Sequence, residues 1–129
     1  MLELTHYESY KQICSPTLDK KYFAEEHNIL DRSLELFRHL LGNEDHHNMP
    51  IKNLLRLTVV CKSVGKKPLK KIDIEILFKK LTAEGTPMNF KAFYSLISML
   101  VELLDSAEDG LKFKMNRFFD GIDYHSAAE

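Results

Sequence analysis

The segment Leu69–Leu104 constrains this chain most, because its apolar residues return at intervals of three and four and so specify helix rather than strand. The spacing predicts two amphipathic helices joined by a short connector. In the first, Ile72, Ile76 and Phe78–Lys79 bracket a face that also carries Leu77 and Leu81. In the second, Phe90, Phe93, Ile97, Leu100, Val101 and Leu104 recur on one side. Between them, Thr82–Pro87 supplies Gly85 and Pro87 to end one helix and prepare the next.

The ending Met88-Asn89-Phe90-x-x-Phe93 resembles the second half of an EF-hand, where an apolar loop residue pairs with a twin loop and a phenylalanine opens the exit helix. With Met88 at loop position 8, positions 1, 3, 5 and 12 are Leu81, Ala83, Gly85 and Ala92. A calcium loop needs oxygen ligands there, ending in a bidentate glutamate, so calcium is not expected. The preceding stretch has the same rhythm: the polar connector Asn43–Pro50, then Met49, then a helix running from Ile51 through Leu54, Leu55, Leu57, Thr58, Val59 and Cys61 to Lys62. Leu54 stands there in the place of Phe93. The loop Gly42–Asn53 has glycine first and asparagine last, again without calcium chemistry. Two such units back to back are the minimum that buries both apolar faces.

The remaining segments extend this unit pair. Leu4, Tyr7, Tyr10, Ile13 and Cys14 mark a short helix that Ser15-Pro16 stops, and Thr17 or Asp19 can cap the next. Helical spacing continues from Lys20 to Leu41 with a break at His27-Asn28 left undecided, and Gly42 ends it as a left-handed cap. Ser63–Pro68 reads as a basic linker and Asp105–Gly110 as an acidic break. Leu111–Phe119 is a last short helix whose Phe113, Met115, Phe118 and Phe119 are expected to close the core, with docking of another chain as the alternative. The expectation is a single all-α domain over 1–129. It comprises an N-terminal helical extension (1–30), a pair of degenerate, non-calcium EF-hand-like helix–loop–helix units (31–105), and a C-terminal helix and tail (106–129).

An apolar fraction of 44% with 29% charged residues is that of a globular protein. No run approaches the length of a membrane span, and Met1–Tyr10 lacks the basic start and apolar core of a secretion signal, so the expected setting is cytoplasmic. Cys14 and Cys61 form no pairing motif. Charge is uneven. Lys52, Arg56, Lys62, Lys66, Lys67, Lys70, Lys71, Lys79 and Lys80 face only Asp73 and Glu75 within that span, on a chain whose net charge is −1. Such a sector suits an acidic partner, or it is simply a solvated lysine-rich face. The residues assigned to an acidic partner surface are Lys62, Lys66, Lys67, Lys70 and Lys71.

Other chemistry is sparse. His46 and His47 beside Glu44 and Asp45 offer metal ligands, but adjacent histidines diverge and no matching His or Cys motif accompanies them, which favours an exposed polar loop. His39 with Asp31 or Glu35 offers an acid–base pair at a spacing that arises often by chance on a helix. No nucleophile elbow, phosphate loop or metalloprotease motif occurs. Neither catalysis nor a cofactor is expected. The cations lack interleaved aromatics, so sequence-specific nucleic-acid binding is not expected either.

Taken as a unit, Leu34–Leu104 resembles the tubulin polymerization-promoting protein (p25-alpha domain) family. Leu36-Phe37 with Gly42 and Met49-x-x-x-x-Leu54 is similar to its first unit, and Leu57–Lys62 to its helix bearing a Cys-Lys pair. Asp73-Ile74-Glu75-Ile76-Leu77-Phe78 is similar to its acidic–hydrophobic block, and Met88-Asn89-Phe90 to its isoleucine–asparagine–phenylalanine motif. The family's threonine-rich lead into the acidic block is Leu69-Lys70-Lys71 here. The resemblance implies a cytoskeletal protein that binds tubulin or microtubules, in a cilium or flagellum among other places. It also raises zinc at Cys61, against which a buried apolar cysteine is favoured. The competing expectation is an adaptor that grips a partner's amphipathic helix in a groove lined by Met49, Met88, Met99 and Met115.

Overall fold

Apolar residues at helical spacing become helices nearly throughout the computed structural model, which describes residues 18–43 and 47–125. In chain order these are α1 (Leu18–Leu41), α2 (Ile51–Leu54), α3 (Leu57–Val60), β1 (Ser63–Val64), β2 (Lys67–Pro68), α4 (Lys71–Leu81), α5 (Phe90–Leu104) and α6 (Leu111–Asp120). The chain divides into two units, Met1–Asp31 and Arg32–Glu129, and α1 runs through the boundary. It passes His27-Asn28 without a break, and Asp19 lies inside it rather than at its cap. The helix expected at Leu4–Cys14 and a cap at Thr17 lie outside the described residues.

The core of the second unit is built around α5, which packs against both α4 and α6. Asn89 starts it, its side-chain oxygen accepting the Ala92 N–H at 2.9 Å, so an end amide that has no helical partner is satisfied locally. Phe93, Leu96, Ile97, Leu100 and Val101 are fully buried. Each such side chain stabilises the fold by roughly 1.5–3 kcal/mol. Phe37 of α1 meets Phe93 and Phe90 with ring centroids at 5.2 and 5.6 Å. Gly42 ends α1 at φ +64, its N–H donating to Arg38 O, as the sequence predicts.

The loops after α1 and α4 meet at two methionines. Met49 N–H donates to Met88 O at 2.9 Å, and both side chains are fully buried. The reverse donor, Met88 N–H, goes to the Asn48 side-chain oxygen at 3.4 Å.

Several expectations need correction. The inward face of α4 is Ile74 and Leu77 with Phe78 and Leu81 half-buried, while Ile72 and Ile76 point outward. Burying the Ile72–Ile76 stripe would bury Lys79 and Lys80 with it, since they follow at helical spacing; Ile74, Leu77, Phe78 and Leu81 carry no such charge. The long helix expected from Ile51 to Lys62 is instead two short turns that end before Cys61, whose backbone is extended. Asn53 is drawn across to α1, where its amide caps the Leu40 and Leu41 carbonyls at 3.1 and 3.2 Å. Thr58 bonds back to Leu55 O and competes with the ladder. Finally, the linker Ser63–Pro68 is a small antiparallel hairpin, with Val64 opposite Lys67 and Ser63 opposite Pro68.

Among the last helix's aromatics, Phe118 and Phe119 close the core with Met115, whereas Phe113 is exposed. The acidic break is a clamp. Arg117 reaches Asp105 at 2.9 Å and Asp109 at 3.0 Å. Arg32 of α1 ties to Asp120 at 2.7 Å and lies over the Phe119 ring. No helix among the described residues is long and apolar enough to cross a membrane.

Candidate functional site

Alternation of anchors and cations shapes the hairpin between α3 and α4. Val64 and Leu69 are buried, while Lys62, Lys66, Lys67, Lys70 and Lys71 are all exposed. Leu69 N–H donates to Lys62 O at 2.9 Å, extending the two-strand pairing by a further bond. Gly65 makes the turn at φ +63, and a side chain there would come within 3.1 Å of the Asp105 backbone. A β-carbon is therefore disfavoured by the conformation and crowded against Asp105. The apolar pins hold the backbone, so the lysines are presented from a fixed loop rather than a floppy one.

The five sequence-assigned lysines are thus brought to one hairpin and the first turn of α4. Among the described residues no acidic side chain pairs with any of them. The nearest acid in sequence, Asp73, is engaged by the Lys70 backbone N–H at 3.3 Å. Beside Lys62 a cavity of about 160 Å³ is lined by Val59, Val60, Ser63, Gly121 and Asp123. The chain after α6 is fastened there by Asp123 N–H to Val60 O at 2.8 Å.

The cysteine below this hairpin is not poised for chemistry. Cys61 is fully buried, and burial pushes its thiol up to about 11 despite its hydrogen bond to Ser63 O at 3.3 Å. A protonated thiol is a poor nucleophile and a poor metal ligand. Among the described residues no three metal-ligating side chains converge. Glu44, Asp45 and His46 lie outside them. His39 meets Tyr124 edge-on at 5.0 Å, and burial, then the charge of Glu35, push the Tyr124 hydroxyl up to about 12 against the pull of Arg32.

The methionine groove is a correction. Met49, Met88 and Met115 are core residues, and only Met99 of the four lines an open surface. That surface is a groove of about 470 Å³ between α4, α5 and the start of α6, where Met99 is joined by Leu77, Leu103 and Leu111, with Lys80 and Glu102 on its rims. The sequence carried one signal for it. Met99 and Leu103 are apolar yet fall off the Phe93–Ile97–Leu100–Leu104 stripe, so α5 is apolar over a wider arc than a one-sided helix needs. No protein-family model, curated protein or solved structure matches the chain.

Proposed function

We propose that this chain is a non-enzymatic interaction protein that docks an acidic protein surface through its lysine hairpin, with the acidic tails of tubulin on microtubules as the partner. One observation carries it: five exposed lysines without acidic partners among the described residues, held on a hairpin pinned by Val64 and Leu69. Cations fixed in place lose less freedom on binding than cations on a loose linker. Their field reaches about 8 Å at physiological salt, so contact has to be close and salt-sensitive. The choice of tubulin rests on the resemblance of Asp73–Phe78 and Met88–Phe93 to the p25-alpha family. A cytoskeletal location, in cytoplasm, cilium or flagellum, goes with it. The two helix–loop–helix segments are proposed as a degenerate EF-hand pair. The Met49–Met88 backbone bond supports this, since it joins the residues that occupy position 8 of the two loops.

Co-sedimentation with microtubules at rising salt tests the assignment. Binding is expected to fall as salt rises, and to be lost in Lys66→Glu/Lys67→Glu/Lys70→Glu/Lys71→Glu or on tubulin whose tails have been cleaved off. Binding that survives this charge reversal refutes the contact surface.

A second role, as an adaptor gripping a partner's amphipathic helix, is supported by the open groove beside Leu103 rather than by the methionines.

A further inference from the structure

Building on that adaptor role, we infer that the groove between α4 and α5 is a docking site for an acidic amphipathic helix of another protein. The lining supplies apolar anchorage: Leu77 and Met99 at the floor, Leu103 and Leu111 at the walls, the latter two 56% and 37% exposed. Met99 and Leu103 stand one helical turn apart, the interval at which a helix lying alongside offers its own anchors. At about 470 Å³ the groove is wide and open to solvent, a surface to lie along rather than an enclosed pocket. Elsewhere on α4, Ile76 and Ile72 are both more than half exposed.

Charge decides the occupant. The acid on the groove's rim is already paired within the chain, Glu102 with Lys114 at 3.0 Å. Lys80 on the α4 rim has no acidic partner among the described residues. The uncompensated rim charge is therefore positive, and carboxylates beside the incoming anchors complete it. A second copy of this chain fits badly. Its exposed Ile72–Ile76 stripe outside the groove is followed at helical spacing by Lys79 and Lys80. Seated in the groove, that stripe would bring lysine against lysine.

The test is a methyl and amide NMR titration of the full chain with two synthetic helical peptides. They share leucine anchors at i, i+3, i+4 and i+7, one flanked by glutamates and the other by lysines. The acidic peptide is expected to shift Met99 and Leu103 methyl signals. Its affinity should drop about tenfold or more in Leu103→Asp, as for an interface anchor. Lys80→Glu should reverse the preference between the peptides, and Lys66→Glu/Lys67→Glu should leave binding unchanged. Leu103 is more than half exposed, so its substitution spares the core, which a thermal melt verifies. Shifts confined to the hairpin would overturn the groove while leaving an adaptor in place. No shift with either peptide would overturn both, and Met99 shifts that appear on concentrating the protein alone would assign the groove to self-association.

Discussion

The two helix–loop–helix segments share a cadence and hold together by different means. The later one is specified locally. Asn89 caps its second helix, and α5 runs unbroken for 15 residues on a continuous apolar stripe. The earlier one is specified by its surroundings. Its second arm is interrupted between Leu54 and Leu57, and its buried Asn53 serves a different helix, where Arg56 also reaches Leu40 O at 3.4 Å. A helix with its own signals can carry exposed apolar residues at little cost to the fold. A segment assembled by tertiary hydrogen bonds has Asn53 and Arg56 committed to its neighbour. The open groove accordingly lies on the later segment.

The largest test strikes where the segments meet. Phe93→Ala removes the ring that contacts Phe37 and should cost about 3–5 kcal/mol in a denaturant titration, weakening both segments together. Next is Asn53→Ala, which strips the buried α1 carbonyls of their main donor and should cost about 1–3 kcal/mol. Hydrogen exchange should then rise at α2 and α3 while α5 stays protected. Asn89→Ala should cost about 1 kcal/mol and show the reverse, with exchange rising only in the first turn of α5. Equal exchange changes in both variants would erase the contrast.

Smaller effects separate the segments by pH. Hydrogen bonding from Arg117 holds the Asp105 carboxyl below the usual carboxylate range, aided by the Ala107 N–H and opposed by burial. Its stabilisation is complete above the ordinary value of about 4 and drains as pH falls through its own lowered one. Melting curves of Asp105→Asn should therefore lose part of the acid dependence. Cys61 acts at the other end, since its raised thiol favours the fold fully below about 8.5 and loses that contribution as pH climbs toward about 11. Cys61→Ala should flatten stability in that alkaline window and leave the acid side unchanged.

Legibility in the sequence followed the same division. Phe93, Ile97, Leu100, Val101 and Leu104 were readable as one buried face because period and apolarity coincide. Met49 and Met88 were readable as residues at matching places in two loops, whereas their assignment to an open groove failed because both are buried where the loops meet. Ile72 and Ile76 misled because α4 has two apolar stripes, and the one that Lys79 and Lys80 continue was read as part of the buried face. The break near Leu55 was hidden because its cause, the Leu40 and Leu41 carbonyls, is a tertiary partner twelve or thirteen residues away. The lysines were placed on a linker. Four residues in two pairs are too few to show a strand period, and Gly65 alone marked the turn.

The bonding at the loop junction shapes how this molecule can change over time. Where a mirror-image backbone pair would close the seam, a side-chain amide, that of Asn48, takes the second donor. Main-chain bonds are written alike by every residue except proline and so respond little to most substitutions. Here half of the seam is written by a single codon, so drift or selection can loosen or tighten the joint between the two halves without disturbing either one.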